Sequence, residues 1–314
     1  MSIETPRRLL LGPQRPTINL GDAIEASGIG ARSLAVISAG WQEAENDIDD
    51  IRGAVGLPLT DLCLYSRTEA LFREHEDLSR DYRARQDRLQ QQQRLYRLRL
   101  KQLAIAARHT LTATGDAELL AAERRHALAQ LRALDRHHLK RTASVHRKFS
   151  RAWNADTLPA IDEHRREIVG ILDANDGVII TGGNIAVLLN RLSLFGMGNL
   201  LADRAIIAWS AGAMVLADRI VLFHDRMPQG RREPEVLGAG LGLVPGHVFL
   251  PDPTGRLRQR DKPRIGLMAR RFAPETCVTL DSGASVEFGG ESIVGASMAQ
   301  RLGKKGQLTR VRAA

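Results

Sequence analysis

The sequence predicts an α/β fold with a doubly wound, mostly parallel sheet, into which a long antiparallel helical hairpin is inserted. Short apolar segments alternate with helical patterns on both sides of the chain's middle third. That alternation is typical of parallel strands joined by helices. The middle third itself, residues 67–153, contains one Gly and no Pro and is rich in Arg, Gln, Glu and Leu. This composition favours continuous helix.

Residues 1–66 form the first part of the predicted α/β unit. Strands are expected at residues 8–11, 33–38 and 62–65, because these short segments are apolar and aliphatic. Helices are expected at residues 18–26 and 43–55. The turn Gly12-Pro13 ends the first strand.

Residues 67–153 form the predicted hairpin, with a turn at residues 112–116. Tyr82, Leu89, Tyr96 and Leu103 lie seven residues apart, the spacing of a coiled-coil seam. Arg and Gln occupy the companion positions, so the seam is half polar and a projecting arm is expected. Three histidines of the arm are expected at its surface: His126, His137 and His138.

The positive charge of the chain lies in this hairpin. The formal net charge is +9, and residues 67–151 contain 20 Lys and Arg against 10 Asp and Glu. A basic helical surface suits nucleic acid, but acidic residues are interleaved and aromatic residues are few. We therefore expect a solvated hairpin that forms a homo-oligomer or serves as a lid. Nucleic acid is the less favoured partner.

Composition and cysteine usage indicate the cellular environment to expect for this chain. The chain is 43% hydrophobic and has no apolar stretch of 18 residues, so no membrane partner is expected. No signal peptide is evident. Cys63 and Cys277 have no metal-type spacing and are expected to be free thiols in a reducing compartment. A cytoplasmic protein without a metal or organic cofactor is the expectation.

Residues 154–300 form the second part of the α/β unit. Helices are expected at residues 159–174, 185–195 and 262–271. Strands are expected at residues 177–181, 205–209, 220–223, 277–281 and 284–288, and Gly289-Gly290 predicts a hairpin to residues 292–294. Residues 301–314 are expected to be a frayed basic tail.

Ser210 is the candidate nucleophile. It follows the apolar segment Ala205 to Trp209 and precedes a run of small residues, the pattern of a nucleophile elbow. The amide of Ala211 would stabilise an oxyanion, and Gly183, which follows the strand at 177–181, supplies a second amide. The alternative is a structural serine that caps a buried helix.

Asp225 and His247 complete a candidate triad. Asp225 follows Ser210 by 15 residues and comes after an apolar strand, and His247 follows Ser210 by 37 residues. A serine hydroxyl needs a neighbouring base, and the base needs a carboxylate that fixes its tautomer. Alternatively, Asp225 pairs with His224 or Arg226, and His247 is a turn histidine.

Three segments resemble a known family: Thr181-Gly182-Gly183-Asn184, Trp209-Ser210-Ala211-Gly212-Ala213 and Gly242-Leu243-Val244-Pro245-Gly246-His247. They are similar to the peptidases that include aspartyl dipeptidase (peptidase E) and cyanophycinase. The resemblance implies a class I glutamine amidotransferase-like fold, a flavodoxin-like three-layer sandwich. It also implies Ser210 as nucleophile, His247 as base, Asp225 or Asp281 as the acid, and Gly183 and Ala211 as the oxyanion hole. It does not cover the hairpin.

The resulting hypothesis is a serine-type peptidase that acts on small aspartyl, isoaspartyl or cyanophycin-like peptides. Gly182, Asn184 and Trp209 are the expected substrate-contacting residues, and one of Arg256, Arg258 and Arg260 would face an acidic side chain. One alternative is a catalytically silent scaffold whose basic arm binds a partner or nucleic acid. An α/β-hydrolase esterase fits less well because the interval from serine to histidine is short. A glutaminase is disfavoured because the elbow carries serine.

Overall fold

The computed structural model describes residues 6–154, 156–225 and 232–313. Its strands are β1 (Arg7–Leu11), β2 (Leu34–Ile37), β3 (Leu59–Asp61), β4 (Gly177–Ile180), β5 (Ala205–Trp209), β6 (Arg219–Leu222), β7 (Glu235–Ala239), β8 (His247–Pro251), β9 (Thr276–Leu280), β10 (Ser285–Gly289), β11 (Ser292–Ser297), β12 (Gln300–Leu302) and β13 (Leu308–Arg310). Its helices are α1 (Leu20–Ser27), α2 (Asp49–Val55), α3 (Leu64–Glu74), α4 (Glu76–Thr112), α5 (Ala117–Ala152), α6 (Pro159–Asp173), α7 (Ile185–Leu194), α8 (Met197–Leu200), α9 (Ala211–Val215), α10 (Pro253–Arg256) and α11 (Lys262–Phe272). A 3₁₀ helix spans Ala39–Ala44.

The main sheet has seven strands in the order β11-β10-β1-β5-β4-β2-β3. The five strands from β1 to β3 are mutually parallel, and β10 and β11 extend the edge in antiparallel pairing. The predicted doubly wound, mostly parallel sheet is therefore confirmed. β5 lies at its centre between β1 and β4, so the residue after β5 emerges at the middle of the carboxyl edge.

Alternate side chains of these strands enter two different cores. Leu9, Val36, Ile179 and Ile207 pack with α1 and α2 on one face. The residues between them in sequence pack with α3, α6, α7 and α9 on the other face: Leu10, Ala35, Ile37, Val178, Ile180, Ile206 and Ala208. Strand side chains alternate between the two faces of a sheet, and both faces are covered by helices. A three-layer sandwich results.

A third core joins the hairpin to the carboxyl-terminal half of the chain. It contains Tyr96, Leu100 and Leu131 of the hairpin together with Val248 of β8 and Phe272 of α11. Two smaller sheets border this core, one in the order β13-β12-β9-β8 and one formed by β6 and β7.

The hairpin is antiparallel as predicted, but it does not project. α5 lies against β7 and α11, and α4 lies against α11. The prediction of a projecting arm was wrong because the seam joins a buried network that includes α11: the hydroxyl of Tyr96 donates to Asp135 (2.8 Å) and accepts from Arg271 (2.7 Å). His138 is buried rather than exposed, since its ring stacks on Tyr96 at a centroid distance of 4.2 Å.

Two predicted elements in the first part of the chain differ from the structure. The segment at 62–65 is not a strand: β3 ends at Asp61, and α3 begins at Leu64. The buried carboxylate of Glu45 accepts hydrogen bonds from the backbone amides of Tyr65 and Ser66 (2.7 and 2.8 Å), which satisfies the first turn of a helix from outside it. The predicted helix at 43–55 is divided into the 3₁₀ helix and α2.

The carboxyl-terminal tail is ordered, contrary to prediction. β12 pairs with β9, and β13 pairs with β12, so residues 300–310 extend a sheet. The amide of Val311 also donates to the carbonyl of Ala299. Among the residues that the structure describes, no helix is long and apolar enough to cross a membrane.

Candidate active site

Ser210 occupies a strand–turn–helix elbow at the centre of the carboxyl edge. β5 ends at Trp209, α9 begins at Ala211, and Ser210 between them has φ 51° and ψ −117°. A non-glycine residue at positive φ costs of order 1–3 kcal/mol and persists only where the surroundings impose it. Here Gly212 helps to impose it: a Cβ at that position would lie 2.2 Å from the carbonyl oxygen of Ile180.

The glycine pair after β4 lies beside the elbow. A Cβ on Gly182 would lie 3.0 Å from the Cβ of Ser210. Gly183 has φ 108°, and a Cβ there would lie 2.4 Å from the carbonyl oxygen of Gly40. Gly183 admits no side chain and Gly182 leaves little room for one, so backbone rather than side chains borders the Ser210 hydroxyl on this side.

Asn184 and Trp209, both predicted to contact substrate, have different surroundings. The Asn184 side chain accepts from the amides of Ala186 and Val187 (3.1 and 3.2 Å) and caps α7. Trp209 is buried and lines a cavity that also contains Ser210.

Two cavities meet at Ser210. One, of about 370 Å³, lies on the side of α1 and α2 and is lined by Trp41, Gly182 and Trp209. The other, of about 380 Å³, lies on the side of α7 and α9 and is lined by Ala211 and His224. Since the two cavities lie on opposite faces of the sheet, a bound chain that occupies both passes over the Ser210 hydroxyl.

His247 does not lie at this edge. It begins β8, whereas Pro251 at the other end of β8 lines the Ser210 cavity, and four residues of strand span about 13 Å. Its ring centroid lies 5.0 Å from that of Phe288. Phe288 pairs with Arg8, which pairs with Ile206, four residues before Ser210.

The His247 ring is held by local contacts. Its Nδ1 lies 2.8 Å from the carbonyl oxygen of Pro245, and the ring stacks on Phe249. Burial lowers the pKa of His247 below its usual value. Within the described ranges no hydrogen bond joins His247 to Ser210 or Asp225. The turn-histidine alternative therefore describes its geometry, and the structure does not bring the expected triad together.

Asp225 is committed to a different partner. It is 1% exposed, and Nε of Arg264 donates to its Oδ2 at 2.7 Å while Nη2 of Arg264 donates to Oδ1. The amide of Arg258 also donates to Oδ2 at 3.0 Å. Of the two neighbours expected as partners, His224 does not account for this pairing, and Arg226 lies outside the described residues. A carboxylate saturated in this way is a structural anion.

Asp281, the other candidate acid, follows β9 at the same edge. Its carboxylate accepts from the hydroxyl of Thr254 and from the amide of Ser282 (3.2 Å). These contacts connect the turn after β9 to α10. It is not among the residues that line either Ser210 cavity.

Among the described residues, His224, Glu233, Glu235 and Asp252 share the cavity on the side of α7 and α9 with Ser210, and Asp47 and Asp50 line the other Ser210 cavity. His224 is exposed and follows β6 by two residues. Sequence reasoning treated it only as a neighbour of Asp225, although its place after a strand carried the same signal. Asp252 follows β8, caps α10 through the amide of Gly255 (3.0 Å), and lies 3.3 Å from Nε of Arg256.

Arginines from three parts of the chain line the same cavity. Arg256 is the one of the three predicted arginines that reaches it, and Arg232 comes from the segment before β7. Arg97 comes from α4, so the hairpin contributes to the wall beside Ser210. Nε of Arg97 donates to Glu235 at 2.6 Å. Over the described residues, no cluster of three or more His, Cys, Asp or Glu side chains has the arrangement of a metal site.

A central parallel sheet with a strained serine elbow and glycine-lined backbone beside it is the arrangement of a serine hydrolase built on an α/β fold. The model of peptidase family S51 matches residues 129–295, just over half of the chain. The chain belongs to peptidase family S51, and it is by class a serine peptidase.

Two solved structures are similar to this chain. A peptidase from an acI-B1 Actinobacterium has 14% identity and a TM-score of 0.47, with 100% of this chain and 96% of that chain covered. A putative peptidase E protein from Listeria monocytogenes EGD-e has 12% identity and a TM-score of 0.44, with 95% of this chain and 100% of that chain covered. No curated protein matches the chain.

Proposed function

We propose that this chain hydrolyses short peptides by acyl transfer to Ser210. The observation that carries the proposal is the strained elbow at which two cavities of similar size meet. A peptide laid across Ser210 has its acyl residue in one cavity and its leaving group in the other. Cavities of about 370 and 380 Å³ suit one or two residues each.

In the proposed mechanism the Ser210 hydroxyl attacks the scissile carbonyl carbon. His224 takes the hydroxyl proton and passes it to the leaving amine, because it is the imidazole that lines the Ser210 cavity. The amides of Gly183 and Ala211 donate to the oxyanion. Water then attacks the acyl-enzyme with His224 again as base, which releases the acid and restores Ser210.

The proposed substrate carries an acidic side chain next to the scissile bond. The cavity on the side of α7 contains three guanidinium groups, from Arg97, Arg232 and Arg256. Arg256 is only loosely paired, at 3.3 Å from Asp252, and is exposed. A bidentate guanidinium–carboxylate contact there selects an aspartyl or isoaspartyl residue over a neutral one.

A fluorophosphonate probe tests the nucleophile. We expect the purified wild-type protein to be labelled on Ser210 and the Ser210→Ala variant to remain unlabelled. The exposed serine of α5, Ser150, provides a control: Ser150→Ala keeps full labelling. A folded wild-type protein that takes up no probe contradicts the proposal and favours the catalytically silent scaffold. Unlabelled wild-type protein is then assayed with aspartyl and isoaspartyl dipeptides against alanyl dipeptides, and prior labelling abolishes the activity.

A further inference from the structure

The hairpin contains a groove that the peptidase site does not use. It lies between α4 and α5 near the end where the hairpin joins the α/β unit, and its volume is about 630 Å³. Side chains of both helices line it, and the indole of Trp153 lies at its end. Small-molecule sites commonly have volumes of about 300–1,000 Å³. The groove therefore has the size of a ligand site.

The groove concentrates unbalanced positive charge. Arg85 and Arg88 of α4 and Arg141 and Lys148 of α5 line it, and Asp81 is the acidic residue among its lining side chains. Asp81 is already engaged, since it accepts from Nε1 of Trp153 at 3.1 Å. In the described part of the chain, the side chains of Arg88, Arg141 and Lys148 form no ion pair or hydrogen bond.

Two cations at the surface where the hairpin packs on the rest of the chain are paired with carboxylates. Arg97 pairs with Glu235, and Arg108 pairs with Glu233. The hairpin thus places carboxylates against cations where it packs on the α/β unit. In the groove, no carboxylate of the described residues pairs with Arg88, Arg141 or Lys148.

Arg85 strengthens this argument because it is 7% exposed. Its Nη2 donates to the amide oxygen of Asn190 (2.9 Å), and its guanidinium lies 4.0 Å from the ring centroid of Phe149. Among the described residues no carboxylate pairs with it, and its Nε is buried without a partner. Burial lowers the pKa of Arg85 to about 10. A buried cation without an anion is costly, and a bound anion offsets that cost.

Gln92 supplies a second unpartnered group on the same wall. It is 8% exposed, and its Oε1 is buried without a hydrogen-bond donor. An amide oxygen accepts hydrogen bonds only. The groove therefore calls for a ligand that has both negative charge and a hydrogen-bond donor, beside the indole of Trp153.

We propose that the groove between α4 and α5 binds a mononucleotide. Arg85, Arg88, Arg141 and Lys148 hold its phosphates. Gln92 accepts from a hydroxyl or amino group, and Trp153 contacts the ring. Arginine forks match phosphate oxygens in pairs, and aromatic faces accept any base. This site is separate from Ser210 and does not depend on the proposed peptidase activity.

Titration calorimetry of the full chain at low salt tests the proposal, with ATP, AMP, pyrophosphate and inorganic phosphate as separate probes. We expect ATP to bind one site per chain and to bind more tightly than pyrophosphate. Arg88→Gln combined with Arg141→Gln weakens ATP binding at least tenfold. The matched control, Arg83→Gln with Arg147→Gln, removes two exposed cations of the same helices outside the groove and keeps the affinity within twofold.

Four results would overturn the proposal. The first is no heat with any probe at millimolar concentration. The second is equal weakening in both double variants, which indicates non-specific charge attraction. The third is equal affinity for ATP and pyrophosphate, which removes the role of the ring. The fourth is binding of a single-stranded oligonucleotide without binding of any mononucleotide.

Discussion

The carboxylate of Asp225 and the guanidinium of Arg264 form a buried ion pair. Nε of Arg264 donates to Oδ2 of Asp225 at 2.7 Å, and both side chains are at most 1% exposed. Arg264 also donates to Glu233 at 3.2 Å. The pair ties the segment after β6 to α11, beneath the cavity that contains His224.

Removal of either member of this pair leaves the other charge buried and alone. We expect Asp225→Ala and Arg264→Ala each to lower the free energy of unfolding by about 3–5 kcal/mol. Denaturant unfolding measures the loss. The double variant Asp225→Leu with Arg264→Met leaves no lone charge and recovers most of the stability. If Asp225→Ala abolishes probe labelling without any loss of stability, Asp225 is a catalytic acid and this assignment is wrong.

The rate of fluorophosphonate labelling distinguishes the roles of His224 and His247. His224→Ala slows labelling about 10²–10⁴-fold, because general-base assistance has that magnitude. His247→Ala keeps the rate within a few-fold, since its ring packs against Phe249 and Phe288 at the far end of β8. Circular dichroism of both variants checks that they are folded. The opposite ranking of the two rates restores the triad expected from sequence spacing.

The positive φ of Ser210 predicts a difference in stability between two inactive variants. Glycine adopts positive φ without a Cβ penalty, whereas alanine keeps the backbone strain. We therefore expect the free energy of unfolding of Ser210→Gly to exceed that of Ser210→Ala by about 1–2 kcal/mol. Both variants lack the hydroxyl and both are inactive. Thermal unfolding of the pair makes the comparison. Equal stabilities would mean that the elbow relaxes at no cost.

Asp61 predicts a loss of stability as the pH rises from acidic to neutral values. The Ser38 hydroxyl lies 2.8 Å from the carbonyl oxygen of Glu45 and 2.7 Å from Oδ2 of Asp61. One hydroxyl hydrogen serves one acceptor, so a protonated Asp61 that donates to Ser38 satisfies all three groups. Burial raises the pKa of Asp61 to about 6.

A raised carboxyl pKa means that the folded state binds the proton more tightly than the unfolded state. The resulting stabilisation, on the order of 2–3 kcal/mol, is complete below the unfolded pKa and is lost as the pH rises through about 6. Unfolding free energies measured at about pH 4.5 and about pH 8 determine this stabilisation. Asp61→Asn lacks this component, whereas the exposed Asp47→Asn retains it.

Local sequence patterns were sufficient for the main sheet and the elbow. A short continuous run of apolar residues is typical of a strand buried on both faces, as in β2 and β4. The small residues around Ser210 follow from backbone packing, since Gly212 lies against the carbonyl of Ile180. Both signals lie within a few residues of the feature they predict.

The failures concern partners that are distant in sequence. Asp225 and Arg264 are 39 residues apart, and no local pattern distinguishes an ion pair from a triad. The spacing of His247 from Ser210 resembles that of the peptidase family. However, β8 runs so that its last residue, not His247 at its start, lies beside the Ser210 cavity. The half-polar seam of the hairpin looked solvated because the partners of Tyr96 and Asp135 include Arg271 in α11.

That last network has a consequence for the order in which the protein is made. Arg271 lies 175 residues after Tyr96 and 136 residues after Asp135, so both hairpin helices leave the ribosome long before their buried cation is synthesised. Until then, Asp135 needs water around its carboxylate. The hairpin therefore closes onto the α/β unit only after α11 has emerged, and a nascent chain truncated before residue 271 exposes the apolar face that Leu100 and Leu131 share.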